Sequence, residues 1–529
     1  MTEIANPILP GFHADPSICR VGDDYYIATS TFEWYPGVCI YQSRDLVHWR
    51  LVARPLDRPE LLDMRGNPFS GGVWAPALSY ADEQFWLIYT DMKHYEGSWK
   101  DARNLLVTAP SVEGPWSGPV RLNCSGFDPS LFHDEDGRKW LLNQQWNGRP
   151  GQRRFDGILI QEYDASQACL TGEPRRLFEG TELGITEGPH IFRKDGFYYL
   201  ICAEGGTQFE HAVTLARSES LEGPWEVHPE NPLLTALHEP GNPLQKAGHG
   251  SLVELSSGQW YLAHLCSRPQ EVDGQKRCML GRETALQVIR WDADGWPRLA
   301  HGGNAPALRI PAPELPEHSW PKVPERLPFD GKTVPDCFHS LRVPITPDWA
   351  DLQARPGFLR LRGRESLSSA FEQSLLARRI QTFECRAALR MEFTPTDYHQ
   401  AAGLIVFYNH RNWAYLNVTI HPDEGRVLEV LRCENSFRSE ALERLPLPGD
   451  GSLDNVLKLQ IRSTRLQFAW SKPDGEARAI GPALDASKYS DDYVEGEGFT
   501  GAFVGFCCQD HAGDERPADF AWFEYAENH

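Results

Sequence analysis

Two aspartates share one sequence context, Asp15 in HADPS and Asp128 in FDPSL, and a third carboxylate, Glu187 in TEGPH, stands one residue ahead of the equivalent position. His249 in GHGSL and Trp74 in VWAPAL hold the corresponding place in two further copies of the pattern. Several carboxylates beside aromatics in one concave site suit cleavage of a glycosidic bond. That chemistry needs a protonated carboxylic acid on the leaving oxygen and an ionised carboxylate opposite. A third carboxylate would help keep the acid's proton in place by like-charge repulsion and help orient it. Two other readings use the same residues. Asp-Pro opens a strand through an Asx-type turn with no chemistry attached. Calcium also takes carboxylates, but it usually gathers about 6–8 oxygen ligands, often along one loop, and the sequence offers no such loop.

The elements that must position these residues are visible as a repeat. Five segments share a small or acidic residue, Pro or Ser, a short apolar strand, a turn and an aromatic strand. They are DPSICRVGDDYYIATS from Asp15, APALSYADEQFWLIYT from Ala75, DPSLFHDEDGRKWLLNQQ from Asp128, GPHIFRKDGFYYLICA from Gly188 and GSLVELSSGQWYLAHL from Gly250. Further strand-like sequence follows, ending in Trp-containing turns such as SRDLVHW, SVEGPW and SLEGPW. A unit of roughly 60 residues with four short strands is one propeller blade with generous loops. Residues 1–309 therefore predict a five-bladed β-propeller, in which equivalent positions form a ring at one depth. A β-sandwich with accidental internal similarity would not produce five spaced copies. Ile310–Pro328 (IPAPELPEHSWPKVPERLP) is rich in Pro and charge and reads as a linker. From 329 to 529, alternating segments such as FECRAALRMEF, AGLIVFYN and WAYLNVTI predict an antiparallel β-sandwich. The fold class is all-β.

The 529 residues carry 52 Lys+Arg against 73 Asp+Glu, a net charge of −21. Such acidity disfavours nucleic acid and anionic membrane surfaces as partners, while a neutral glycan tolerates it. MTEIANPILP has neither a basic n-region nor an apolar h-region, so no signal peptide is expected and the expected location is the cytoplasm. No stretch approaches the roughly 20 apolar residues of a membrane span. The twelve cysteines form no CxxC pair and are expected to be reduced, Cys507 and Cys508 included.

NPILPGFHADPSI, STFEWYPGV, VWAPAL, GFDPSLFHDEDGRKW, TEGPHIF, HGSLVE and GRETAL together resemble glycoside hydrolase family 43, in its two-domain β-xylosidase branch. The resemblance implies a five-bladed propeller and inverting, single-displacement hydrolysis without a required cofactor. It implies Asp15 as general base, Glu187 as general acid and Asp128 as the residue that tunes and orients the acid. Arg282 in GRET would bind sugar hydroxyls, and Phe32, Trp74, Phe127 and Thr207 would surround the terminal sugar. His249 matches an axial histidine that holds water or a divalent ion such as calcium. A sandwich-domain loop, Gly505–Phe520 with Phe506 as the contact, would close the pocket. The implied enzyme is an exo-acting β-1,4-xylosidase that trims short xylooligosaccharides from the non-reducing end and assembles as a dimer or tetramer. The alternatives are an α-L-arabinofuranosidase, as main or side activity, and a sugar-binding propeller without catalysis.

Overall fold

In the computed structural model, residues 3–447 and 454–528 are described. The chain divides into two compact units. The first comprises Met1–Leu62, Gly71–Pro269 and Arg282–Trp320, the second Asp63–Ser70, Gln270–Gly281 and Pro321–His529. Among the described residues the single helix is a 3-10 turn at Ala486–Lys488, and no helix is long and apolar enough to cross a membrane.

The first unit is propeller-type. Its five antiparallel sheets are each built around four sequential strands, and their first strands are Ser17–Val21, Gly72–Ala81, Ser130–His133, Glu187–Lys194 and Gln245–Glu254. These first strands touch in cyclic order, the fifth returning to the first. Each begins the repeated sequence segment, and each turns back quickly into its aromatic partner. In the fourth sheet, Lys194 pairs with Phe197 across a two-residue turn, with φ of 49° at Asp195 and 86° at Gly196. That is the backbone twist a tight hairpin requires.

Apolar residues of neighbouring sheets interlock. Ile18, Tyr25 and Ile27 of the first sheet cluster with Val253, Tyr261 and Leu286 of the fifth. Tyr199 and Ile201 cluster with Trp260 and Leu262, and Phe132 and Leu142 with Leu200 and Cys202. The seam between first and last sheets is also stitched by the N-terminal segment. Glu3–Ala5 pairs with Arg309–Pro311, and Asn6 Nδ2 donates to Leu286 O at 2.7 Å. Ile8 N and His13 N donate to Thr284 O and Arg282 O, each at 2.8 Å. The Pro-rich stretch stays with this unit as far as Trp320, whose ring lies 3.9 Å from the Arg50 guanidinium and whose Nε1 donates to His48 O.

The second unit is a sandwich of two antiparallel sheets. One has six strands, ordered from Ser374–Arg379 through Phe503–Asp510, Gln400–Asn409, Asn412–His421 and Gly425–Cys433 to Glu440–Pro446. The other is centred on Pro517–Glu527, Glu384–Phe393 and Asp454–Arg462. Burial alternates along Glu384–Phe393, as a strand with one face to the core requires.

Phe506 lies inside this core and not at a pocket wall, which corrects the expectation that it would contact a ligand. Its ring is fully buried among Phe329, Phe338, Phe520 and Phe523, with centroids 4.6–5.8 Å away. The reason is strand parity. In Phe503–Asp510, Val504, Phe506 and Cys508 join the sandwich core, and that set does not change face without a register shift. Phe506→Ala is expected to destabilise this unit by about 3–5 kcal/mol. Denaturant unfolding followed by Trp fluorescence checks this, and a loss under about 1 kcal/mol would contradict the packing.

The twelve cysteines form no disulfide, and burial pushes the Cys507 thiol up to about 12, so this thiol is packing rather than nucleophile.

Candidate active site

A left-handed backbone kink recurs at the head of the first strands. Asp15 has φ 56°, Ala75 33°, Asp128 54°, Gly188 55° and His249 45°. Non-glycine residues enter this region reluctantly, Asp and Asn least so, and such strain gathers at functional sites. The kink accounts for the offset of Glu187 and shows that Trp74 shares it. Asp15, Asp128 and His249 sit on it, while Trp74 and Glu187 stand one residue before it.

Asp15 is buried between donors. Arg282 Nη1 donates to its Oδ1 at 3.0 Å, Ser30 Oγ donates to its Oδ2 at 2.6 Å, and His249 Nδ1 lies 3.7 Å from Oδ1. Burial alone would raise this carboxyl, but Arg282, His249 and the Ser30 hydrogen bond outweigh it and hold Asp15 below the usual aspartate value. Ser30 is itself fixed, since its Oγ accepts from Ala75 N at 2.8 Å.

Asp128 and Glu187 have the opposite environment. Asp128 Oδ2 accepts from Gly188 N at 3.1 Å, which ties it to the backbone next to Glu187. Burial, then the Glu187 and Asp15 charges, push Asp128 well above its usual value. Burial, then Asp15, push Glu187 up to about 8 against the pull of Arg282 and Lys100. The two carboxyls titrate as a pair that retains a proton at neutral pH.

An aromatic wall continues from these groups. Phe32 and Trp74 have ring centroids 6.2 Å apart, and Trp74 meets Phe127 edge-on at 5.4 Å. The Arg282 guanidinium lies 5.5 Å from the Phe32 ring, so the wall and the carboxylates are joined through one residue. Trp146 extends the wall at 6.3 Å from Phe127, with Lys100 Nζ 4.4 Å above its ring.

The structure thus gathers Asp15, Asp128, Glu187, His249 and Arg282 with Phe32, Trp74 and Phe127. Thr207 is half-buried in the loop after strand Phe197–Glu204. Ser30 and Lys100 escaped the sequence reading because neither belongs to the repeat segment's first strand. Only the register of neighbouring loops brings them in. Around His249, burial lowers His190 and His211 to about 3, leaving neutral rings. No group of three His, Cys, Asp or Glu side chains able to hold a metal ion occurs among the described residues. One imidazole beside one carboxylate is a poor fit to a protein-chelated calcium, which prefers several oxygens.

Comparison with known proteins gives two domain matches. Residues 4–297 match glycosyl hydrolases family 43, and residues 326–526 match the beta xylosidase C-terminal concanavalin A-like domain. A beta-xylosidase of Bacillus subtilis (strain 168) is 49% identical, over 99% of this chain and 100% of its own length. A xylosidase/arabinosidase of Humicola insolens is 46% identical, over 99% of this chain and 98% of its own. The crystal structure of xylan beta-1,4-xylosidase from Bacillus halodurans C-125 superposes with a TM-score of 0.97 at 50% identity, covering 99% of this chain and 100% of that one.

Proposed function

The chain belongs to glycosyl hydrolases family 43, and from that premise we propose that it is an exo-acting, inverting β-1,4-xylosidase releasing D-xylose from the non-reducing end of short xylooligosaccharides. One observation carries the mechanism: two carboxyl environments are driven apart, Asp15 towards the ionised form and the Asp128–Glu187 pair towards the protonated one. Asp15 is the general base, drawing a proton from the water that attacks the anomeric carbon. Glu187 is the general acid on the leaving oxygen. Asp128, tied to the Gly188 N–H, shares the pair's retained proton with Glu187 and orients it. Arg282 holds Asp15, which supports a part for it in binding sugar hydroxyls, and the Phe32, Trp74 and Phe127 rings support apolar contact with a pentose ring. Water and carboxyl groups suffice for this chemistry, and no step passes through an ion at His249.

The names of the bacterial relatives support xylose as the sugar released. The Humicola relative's double name supports α-L-arabinofuranosidase as a side activity, because the two pentosides can present similar hydroxyl arrangements. A panel of 4-nitrophenyl β-D-xylopyranoside, 4-nitrophenyl α-L-arabinofuranoside, xylobiose and arabinan tests the reading. Xylosides should give the higher kcat/KM. Preference for arabinofuranosides would reverse the assignment, and binding without turnover would make the propeller a sugar-binding module. Proton NMR of the first product should record α-xylose, as inversion demands.

The pH profile follows from the same environments. The acid works protonated, so kcat/KM should fall as pH rises through about 8. The base works ionised, so the acid limb should lie below the ordinary aspartate range. A basic limb at about pH 5 would contradict the protonation assigned to Glu187.

A further inference from the structure

Glu204 ends the strand Phe197–Glu204 and is fully buried. Its Oε1 accepts from Thr181 N at 2.8 Å and from Thr186 Oγ1 at 2.7 Å, and its Oε2 accepts from the Thr181 hydroxyl. The two threonines bracket the segment that runs directly into Glu187. One residue earlier on Glu204's strand, Ala203 is the pairing partner of Glu187, so the clamp and the acid lie on adjacent rungs.

Three features show that this segment needs holding. Ile185 has φ 51°, a left-handed conformation that a β-branched residue adopts only under constraint. Leu183 and Ile185 remain 39% and 40% exposed, so burial of apolar surface does not anchor them. The clamp also leaves no spare room. A Cβ at Gly180 (φ 91°) would stand 1.9 Å from Thr186 Oγ1 and 2.9 Å from Glu204 Oε1. Gly205 N, donating to Gly184 O at 2.9 Å, closes the segment from the other side.

We propose that Glu204 is a positioning residue of the reaction: through Thr181 and Thr186 it holds the strained approach to Glu187 in one conformation, so that the acid's proton meets the leaving oxygen. The proposal rests on the general-acid reading of Glu187. A small displacement of a catalytic group lowers rate far more than it lowers substrate affinity.

The test compares Thr186→Val, Thr186→Ser and Glu204→Gln with the parent and with Glu187→Ala, on xylobiose and on 2,4-dinitrophenyl β-D-xyloside. The dinitrophenolate leaves without protonation, so only xylobiose reports on the acid. Thr186→Val should lower kcat on xylobiose by about tenfold or more, with less than about threefold loss on the dinitrophenyl substrate and little change in KM. Thr186→Ser, which restores the hydroxyl, should recover most of the loss. Glu204→Gln should lose rate in the same selective way, and if it fails to fold, the Thr186 pair still decides. Equal losses of Thr186→Val on both substrates, or no loss, overturn the clamp. If Glu187→Ala itself loses equally on both, the acid assignment falls and takes the clamp's purpose with it. Selectivity in Glu187→Ala without selectivity in Thr186→Val refutes Glu204 alone.

Discussion

Glu187→Ala should lose about 10³-fold in kcat on xylobiose while keeping most of its rate on 2,4-dinitrophenyl β-D-xyloside. The unequal loss matters more than its size. Protonating a departing sugar oxygen lowers the barrier by several kcal/mol, whereas a dinitrophenolate departs as a stable anion and gains almost nothing from the acid. Glu187 is suited to the task because burial and the Asp15 charge hold its pKa at about 8, so it still carries a proton where most carboxyls have lost theirs. The parent's fall in rate above about pH 8 should appear on xylobiose and be absent on the activated substrate. Steady-state kinetics on the two substrates checks both statements, and equal losses would remove Glu187 from the acid's role.

Asp15→Asn should lose about 10³–10⁴-fold on both substrates alike, because water must be activated whatever leaves. Asparagine keeps the shape and can still accept from Ser30 or Arg282, so the loss would report the missing negative charge and not a collapsed site. A second effect has a definite sign. Asp15 is the largest charge influence raising Glu187, so its removal should lower the Glu187 pKa and move the residual activity's basic limb to lower pH. An upward shift, or a loss confined to xylobiose, would contradict the arrangement of charges.

Much of the propeller was legible because five copies of one segment impose equivalence. Once Asp15, Asp128 and the Glu187 neighbourhood occupy related places in the first, third and fourth copies, the repeat brings them to one ring. The sandwich strands were legible from alternation, as at Glu384–Phe393, where every second residue faces the core. Phe506 marks the limit of that reading. Its strand was recognisable, but which face of the strand met the core depended on pairing with Ser374–Arg379 and Gln400–Asn409, strands roughly a hundred or more residues away. Ser30, Lys100 and Glu204 escaped for a related reason. Each acts on a site residue across a loop or a neighbouring strand, and no local motif marks such a contact.

The sequence by itself therefore determined the period, the residue types at each ring position and the family they resemble. It also determined an acidity suited to a neutral sugar and unsuited to nucleic acid. The tertiary structure alone decided which carboxyl environment favours the ionised form and which favours the protonated one. A carboxyl's pKa is set by burial and by charges and hydrogen bonds through space, and the groups that set Asp15 and Glu187 against each other come from positions 15, 30, 100, 211, 249 and 282. It also decided the left-handed kink that aims them, and the clamp at Glu204. Backbone strain of that kind persists only where distant contacts hold it.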